Sequence, residues 1–336
     1  MIELLKRLAL ANGPSGAEDD VREIIKTEAG PYADEIIEDA MGNLIVLRKG
    51  KSTSKKKPLM FAAHSDEVGI IITESVGGGF YKFDFLGGVD TRVALGKPIK
   101  IGAVSGVISP GKAWHLSTEA ERKRLPKVTE LFLDCFGNES LNPGDSGTFI
   151  SSFEMFGDGY VKAKALDDRA GCAVLLTLMK RDYGRDIYYA FTAQEEVGTR
   201  GSAAVAARGL SDTVIVVETT TAADYPDRDG GEKICKPGGG AVVPFMDAGS
   251  IFNRALWQQI TALADEAGIK WQTKTRVAGG TDARSFQQRG FGAKVCAISL
   301  PVRNLHSPSC IAKLEDLDSV LQLCEAVIRR LPSFDD

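Results

Sequence analysis

The chain has 336 residues, of which 43% are hydrophobic and 26% charged, and its 41 lysines and arginines against 45 aspartates and glutamates give a formal net charge of −4. This composition excludes intrinsic disorder and collagen-like structure, and the length predicts about two domains or one α/β domain with an insertion. No apolar run approaches the roughly 18 residues that span a bilayer, and no long basic run indicates nucleic-acid binding. We therefore expect a cytoplasmic protein with a small ligand and with neither a membrane nor a nucleic-acid partner.

The N-terminal part predicts two helices, a hairpin and a buried strand. Apolar residues at helical spacing predict helices over 1–12 and 17–29. Apolar runs on both sides of an Asp-Ala-Met-Gly-Asn turn predict a hairpin within 36–49, and the continuous apolar run at 58–64 is typical of a buried strand. The basic stretch 51–57 is interpreted as a solvated turn between strands.

The middle of the chain, residues 68–152, is rich in glycine and in β-branched clusters, and it predicts a helix only at 117–124. This pattern indicates a small all-β insertion. After it, buried strands alternate with amphipathic helices, which is the pattern of an α/β domain. The predicted strands are 187–193, 213–219, 241–247, 270–276 and 293–301, and the predicted helices are 168–181, 200–209, 252–267, 281–289 and 313–331.

Polar residues follow several of the predicted strands. His64 and Asp66 lie two positions apart at the end of strand 58–64, so in an extended chain their side chains leave the same face. A carboxylate beside an imidazole fixes its tautomer and raises its basicity as a metal ligand. The alternative interpretation is a partly exposed pair in a loop.

Two pairs of adjacent acids are further candidates. Asp167 and Asp168 stand before a long helix, where one aspartate is enough for an N-cap and the other could bridge two cations. Glu195 and Glu196 directly follow a strand, and neighbours in an extended chain point in opposite directions. One glutamate can therefore coordinate a metal while the other takes a proton from bound water.

Glu218 and His306 complete the set, at or just beyond the ends of two later strands. Right-handed βαβ connections bring these strand ends to one side of the sheet. Two histidines and several carboxylates without cysteine suit Zn²⁺, Co²⁺ or Mn²⁺, and the surplus of carboxylates favours two metals that share a bridge. The six cysteines are scattered singly, so we expect reduced, mostly buried thiols.

The ordered motifs HSDEVG, ALDDRAG, QEEVGTRGS, GGTDA and a final His-Ser pair resemble the tetrahedral-aminopeptidase family of cocatalytic metallopeptidases. That family includes glutamyl aminopeptidases and proteins labelled endoglucanases, and the resemblance covers essentially the whole chain. It implies a mixed-sheet α/β/α zinc-exopeptidase-like catalytic domain formed by 1–67 and 153–336. It also implies that an inserted β-barrel-like domain at 68–152 assembles a homo-oligomer, a closed twelve-subunit shell.

The resemblance also implies a role for each candidate residue. One metal would be held by His64, Asp167 and Glu218, and the other by Asp167, Glu196 and His306. Asp66 would orient His64, and Glu195 would be the general base that takes a proton from the metal-bridging water. His115 matches no ligand motif and is interpreted as structural or interfacial. Two departures from the family pattern are Glu218 in place of an aspartate and the absence of an acid after the His-Ser pair, where Pro308, Ser309 and Cys310 stand.

The expected function is therefore a dinuclear metallo-aminopeptidase with two Zn²⁺ or Co²⁺ ions, or Mn²⁺, that hydrolyses short peptides. A metal-dependent deacylase or amidohydrolase on the same scaffold is one alternative. Another is a catalytically silent assembly protein, and a third is a glycosidase that works without metal. The charges of loop 220–240 are interpreted as facing solvent.

Overall fold

The computed structural model describes residues 1–51, 57–226 and 234–331. Residues 52–56 of the basic stretch and residues 227–233 of the charged loop lie outside the described residues. The described strands are β1 (Glu35–Glu38), β2 (Leu44–Arg48), β3 (Leu59–His64), β4 (Gly69–Gly77), β5 (Phe80–Leu86), β6 (Pro98–Ile101), β7 (Val104–Pro110), β8 (Leu131–Asp134), β9 (Ser146–Phe149), β10 (Glu154–Phe156), β11 (Tyr160–Ala163), β12 (Ile187–Thr192), β13 (Thr213–Thr221), β14 (Ala241–Val242), β15 (Trp271–Gln272), β16 (Lys294–Val302) and β17 (Cys310–Lys313). The described helices are α1 (Ile2–Leu10), α2 (Asp19–Ala29), α3 (Thr91–Ala94), α4 (Glu119–Lys123), α5 (Leu166–Met179), α6 (Arg200–Ala207), α7 (Arg254–Glu266), α8 (Ala283–Gln288) and α9 (Leu314–Arg330), with 3₁₀ turns at Gly30–Tyr32, Trp114–Leu116 and Val128–Glu130.

An eight-stranded mixed sheet lies at the centre of the fold, in the order β1-β2-β12-β3-β13-β16-β14-β15. Strands β12, β3, β13 and β16 run parallel, whereas β2 pairs antiparallel with β1 and β12, and β14 pairs antiparallel with β16. The parallel strands are buried along almost their whole length, which explains their continuous apolar sequences. Parallel pairing places their carboxyl ends at one edge of the sheet, as expected from the sequence.

Helices cover both faces of this sheet. On one face α1, α2, α5, α7 and α9 form an apolar cluster with strand side chains such as Phe61, Tyr189 and Ile215. On the other face α6 and α8 pack against the alternating strand positions, among them Met60 and Val214. Successive strand residues point to opposite faces, so each strand contributes to both clusters. This three-layer arrangement confirms the predicted α/β/α fold class.

Strands β4 to β9 close into a six-stranded barrel in the order β4-β5-β8-β7-β6-β9. The barrel has an apolar core of its own, which includes Ile70, Tyr81, Ile99, Leu133 and Phe149. Closure pairs every strand on both sides, which removes the free edges of a small sheet. The closed barrel confirms the predicted inserted β unit, while the domain boundaries at 68 and 152 stay a prediction.

Two predicted strands are much shorter in the structure. The expected strand 241–247 is reduced to β14, because Pro244 has no N–H to donate to a neighbouring strand. The expected strand 270–276 is reduced to β15, which pairs only with β14 at the edge of the sheet. The predicted helix 117–124 is the shorter α4, which begins at a capping box between Thr118 and Glu121.

The sequence analysis does not predict the small antiparallel sheet β10-β11-β17. Its strands have three or four residues each, too few for a clear alternating pattern. Every cysteine is free and buried, as expected. None of the described helices combines the length and the apolar character that crossing a membrane requires.

Candidate active site

The carboxyl ends of β3, β12, β13 and β16 meet at a cavity of about 710 Å³. Every residue that the sequence analysis proposed as a metal ligand or general base lines it, namely His64, Asp167, Glu195, Glu196, Glu218 and His306. Asp66 is completely buried and does not line the cavity. Four separate strand ends and the start of α5 therefore bring the candidate residues together, and ligands of open α/β sheets bind at this kind of edge.

His64, the last residue of β3, is surrounded by carboxylates. Its Nδ1 lies 3.3 Å from Oδ1 of Asp66, and its Nε2 lies 3.3 Å from Oδ1 of Asp167 and 3.6 Å from Oε2 of Glu218. Burial lowers the pKa of His64, but the charge of Glu218 and the contacts with Asp167 and Asp66 raise it well above its usual value. One ring nitrogen thus faces the buried Asp66, and the other faces the cavity.

His306 also directs one ring nitrogen at carboxylates of the cavity. Its Nδ1 donates a hydrogen bond to the carbonyl oxygen of Gly88 at 2.9 Å. Its Nε2 lies 3.2 Å from Oε2 of Glu196 and 3.5 Å from Oδ2 of Asp167. Burial lowers the pKa of His306, but the contacts with Asp167 and Glu196 raise it to about 10. The bond to Gly88 orients the ring so that Nε2 points to the carboxylates.

Asp167 stands between the two imidazoles. Its Oδ1 faces Nε2 of His64 and its Oδ2 faces Nε2 of His306, at 3.3 and 3.5 Å. Although burial raises the pKa of Asp167, contacts with His306 and His64 lower it far below its usual value. A carboxylate with each oxygen directed at a different imidazole has the geometry of a bridge between two cation sites.

Asp168 is more than a helix cap. Its Oδ1 accepts a hydrogen bond from the backbone N–H of Gly171 at 3.0 Å, which is the capping contact. Its Oδ2 is buried and has no hydrogen-bond partner among the described residues. Ligand atoms of His64, Asp168 and Glu218 lie within 4.8 Å of one another, as do those of His64, Asp167 and Glu196. Capping therefore accounts for only one of the two Asp168 oxygens.

Glu195 differs from its neighbour Glu196. In the described part of the chain its carboxylate makes no ion pair and no hydrogen bond, although it lines the cavity. Its backbone N–H donates to Oδ1 of Asp66 at 2.9 Å. Burial raises the pKa of Glu195 well above its usual value, and the charges of Glu218 and Asp282 raise it further. The Glu195 carboxyl group is thus available to a ligand in the cavity.

The site contains more buried carboxylates than buried positive charges. Burial raises the pKa of Glu196 to about 8, with a further contribution from Asp167, and burial followed by Asp168 raises that of Glu218. Buried carboxylates this close together cannot all ionise without counterions, because each charge loses its hydration and repels the others. Oxygen and imidazole donors in this mixture fit borderline divalent cations such as Zn²⁺, Co²⁺ and Mn²⁺. The residues present therefore fit a metal centre.

Two further buried residues at this end of the sheet have no role assigned to them in the sequence analysis. Asp282, in the GGTDA segment, is buried and accepts hydrogen bonds from the hydroxyls of Thr192 and Ser202. It thereby links the end of β12 to α6. Lys274 also lines the cavity and is only 6% exposed. It falls in a predicted strand, and no motif distinguishes it from a surface lysine.

Comparison with known proteins identifies the family. A profile of the M42 glutamyl aminopeptidase family matches residues 42–323. The lysyl aminopeptidase of Pyrococcus furiosus is 28% identical, with 99% of this chain and 98% of the relative covered. The TET aminopeptidase of a marine sediment Thaumarchaeota archaeon is 30% identical with a TM-score of 0.91, over 98% of this chain and 96% of that chain.

A second solved structure with a similar fold is the TET1 peptidase of Pyrococcus horikoshii, which can assemble into a tetrahedron or a large octahedral shell. It is 29% identical with a TM-score of 0.85, and the match covers 97% of this chain and 98% of that chain. M42 peptidases are metallopeptidases. The sequence match, the fold and the cavity agree, and the chain belongs to the M42 glutamyl aminopeptidase family, a family of hydrolases that act on peptide bonds.

Proposed function

We propose that the protein is a dinuclear metal-dependent aminopeptidase that removes N-terminal residues from short peptides. The observation that carries the proposal is the placement of the two Asp167 oxygens opposite two different imidazoles. His64, Asp167 and Glu218 would hold one ion, and Asp167, Glu196 and His306 the other, with Zn²⁺ or Co²⁺ favoured and Mn²⁺ compatible. When bound, two such ions would supply Lewis acidity that activates water and polarises the scissile carbonyl, and a binding position for the free α-amine.

Glu195 would transfer the proton. Its carboxylate makes no hydrogen bond or ion pair among the described residues, so it is free to accept a proton from the attacking water and to pass it to the leaving amine. Burial raises the pKa of Glu195, which makes its carboxylate a stronger base than that of a solvent-exposed glutamate. Asp66 would position this group through the backbone N–H of Glu195 and would orient His64.

Lys274 would set the preference for the substrate side chain. Its ammonium group donates to the carbonyl oxygen of Ala278 at 3.1 Å, and it forms no ion pair in the described part of the chain. Burial lowers the pKa of Lys274, because the nearby negative groups do not fully offset the hydration that the ammonium group loses. A buried cation with spare N–H donors favours an acidic N-terminal residue over a basic one.

The substrate preference is tested with glutamyl, leucyl and lysyl p-nitroanilides. The glutamyl substrate is expected to have the highest kcat/KM, and Lys274→Met should lower it roughly tenfold to a hundredfold, the value of a hydrogen bond to a charged group. Turnover of leucyl p-nitroanilide by Lys274→Met should stay close to that of the wild type. A wild-type preference for the lysyl substrate would contradict this role of Lys274.

The reaction itself is tested by assaying aminoacyl p-nitroanilides beside N-acyl amino acids, after EDTA treatment and after addition of Zn²⁺, Co²⁺ or Mn²⁺. Metal-dependent release of p-nitroaniline supports the aminopeptidase. Hydrolysis of the N-acyl amino acids alone would indicate the deacylase alternative. If the protein retains no metal and hydrolyses neither class, the result favours the catalytically silent alternative, in which Glu218 and the residues after His306 no longer support a metal site.

We also propose that the protein assembles into a dodecameric shell through its barrel. Large apolar side chains of the barrel are exposed in the single chain, including Trp114 at 62%, Leu116 at 75% and Phe136 at 72%. Apolar side chains that are exposed in one subunit become buried when a partner covers them, which is typical of protein interfaces. The shell of the similar TET1 peptidase supports the proposal, since both chains share the fold over nearly their whole length.

A further inference from the structure

The loop between α1 and α2 lies directly against the active-site end of the sheet. The backbone N–H of Glu67 donates to the carbonyl oxygen of Gly13 at 3.0 Å, and the N–H of Ser15 donates to the carbonyl oxygen of Glu67 at 3.3 Å. These bonds extend the end of β3 by one short parallel bridge between Pro14 and Glu67. The loop is therefore held beside Asp66.

Ser15 contacts the carboxylate that connects the candidate active-site residues. Its hydroxyl donates to Oδ2 of Asp66 at 2.6 Å, and both side chains are buried. The same carboxylate accepts from the backbone N–H groups of Glu195 at 2.9 Å and Glu196 at 3.2 Å, and it lies 3.3 Å from Nδ1 of His64. Asp66 thus joins the end of β3 to the end of β12, and Ser15 supplies its shortest contact.

Two further buried groups fix the position of the loop. Oε1 of Glu18 accepts from the backbone N–H groups of Gly16 at 2.8 Å and Gln194 at 3.2 Å, which connects the loop to the residue before Glu195. The guanidinium group of Arg169 donates to the carbonyl oxygens of Leu8 at 2.6 Å and Gly13 at 3.3 Å. Because both ends of the loop are anchored, the Ser15 hydroxyl has little freedom to move away from Asp66.

We infer that Ser15 is a positioning residue for the metal centre. A carboxylate can orient an imidazole only if its own plane stays fixed. The hydroxyl of Ser15, bound to Oδ2 of Asp66, keeps Oδ1 directed at His64 and at the N–H of Glu195. Without that hydroxyl, Oδ2 keeps only the longer bond from Glu196, and a buried carboxylate oxygen loses a strong donor. His64 then loses part of the support that directs Nε2 into the cavity.

This role rests on the proposed metal centre, so the test measures metal affinity as well as turnover. Removing a partner that orients a ligating histidine typically costs about 10- to 100-fold in metal affinity. The dissociation constants of Zn²⁺ are measured by competition with a chromophoric chelator, and the Co²⁺ form is compared by its visible absorption spectrum. Ser15→Ala is expected to bind Zn²⁺ more weakly than the wild type by up to about 10-fold, the lower end of that range because Ser15 acts on His64 through Asp66, and to shift the Co²⁺ spectrum.

Two variants control for a general loss of packing. Ser15→Thr keeps the hydroxyl and is expected to restore most of the affinity. Ser211→Ala removes another buried hydroxyl, which donates to the carbonyl oxygen of Thr213 at 2.7 Å just before β13, far from the strand ends that carry the site. It is expected to bind metal as the wild type does. Ser15→Cys, with nearly the size of serine but a weak donor, carries the test if Ser15→Ala does not fold.

The outcomes separate this inference from the proposed function. Wild-type affinity in Ser15→Ala, or an equal loss in Ser15→Ala and Ser211→Ala, would overturn the positioning role and leave the metallopeptidase proposal intact. If the wild-type protein itself binds neither Zn²⁺ nor Co²⁺, both the metal centre and the role of Ser15 are wrong.

Discussion

Replacing Glu195 with glutamine separates proton transfer from metal binding. Glutamine keeps the size and a hydrogen-bonding oxygen of the side chain but cannot accept the proton. The backbone N–H that holds residue 195 to Asp66 is unaffected, because it belongs to the main chain. The variant is therefore expected to fold and to retain the same metal content as the wild type.

The expected loss of turnover follows from the role of the group. A positioned general acid or base contributes about 10² to 10⁴-fold to the rate, which is about 3 to 5 kcal/mol of activation free energy. No other carboxylate in the described cavity is free to replace it: Glu196 faces His306, and Glu218 lies beside His64. We expect Glu195→Gln to lower kcat by at least about 100-fold with little change in KM.

Glu196→Gln provides the matched comparison, since it makes the same chemical change one residue further along the chain. Oε2 of Glu196 lies 3.2 Å from Nε2 of His306, so we expect this variant to lose metal on dialysis. Turnover is measured with an aminoacyl p-nitroanilide, and metal content by elemental analysis of the same samples. An exposed isosteric change, Glu266→Gln, is the control for folding. If Glu195→Gln lost metal while Glu196→Gln kept metal and activity, the two roles would be reversed.

Three further predictions use the same protein preparations. Asp167→Asn should lose both metal ions, whereas Asp168→Asn should only weaken binding of the ion beside His64. Metal titration of the two variants tests this, and an equal loss of metal in both would show that Asp167 does not bridge the two sites. Burial and Asp167 raise the pKa of Glu196 in the metal-free chain to about 8, while the usual value is 4.5, so the folded state binds a proton that the unfolded state has lost. The free energy of unfolding of the EDTA-treated protein should therefore fall between about pH 4.5 and pH 8, and the increase in Tm on adding Zn²⁺ should grow over that range; the opposite slope would contradict the buried-charge argument. Light scattering coupled to size exclusion should give about twelve subunits, and a monomer or dimer at micromolar concentration with metal present would refute the shell.

The fold was largely accessible from the sequence because its central strands are buried on both faces. Such strands have continuous apolar sequences, and amphipathic helices separate them, so the α/β class and the order of strands and helices along the chain follow from pattern alone. Strands at the edges were not accessible in the same way. The sequence pattern predicts strands longer than the observed β14 and β15. The strands of the small sheet β10-β11-β17 are too short to show an alternating pattern.

The residues that converge on the cavity were also accessible, for a topological reason. Parallel strands place all their carboxyl ends at one edge, so residues such as His64, Glu195 and Glu218 must approach one another once the strands are assigned. The second oxygen of Asp168 shows the limit of this reasoning. N-capping is an adequate explanation for the residue in the sequence. Only the packing reveals that Oδ2 is buried without a partner among the described residues and that a carboxylate oxygen of Asp168 lies near ligand atoms of His64 and Glu218.

The hydrogen bonds that support the site residues cannot be predicted from the sequence pattern. Ser15 and Asp66 are 51 positions apart, and Asp282 reaches Thr192 and Ser202 across 90 and 80 positions. These bonds depend on where a loop crosses the strand ends to within a fraction of an ångström, and hydrophobic periodicity contains no information at that scale. In the sequence, a serine flanked by proline and glycine indicates only a turn, and nothing in it points to a contact with Asp66. The chemistry of such a site can thus be read from its ligand residues, whereas the precision with which they are held depends on contacts that only the folded chain defines.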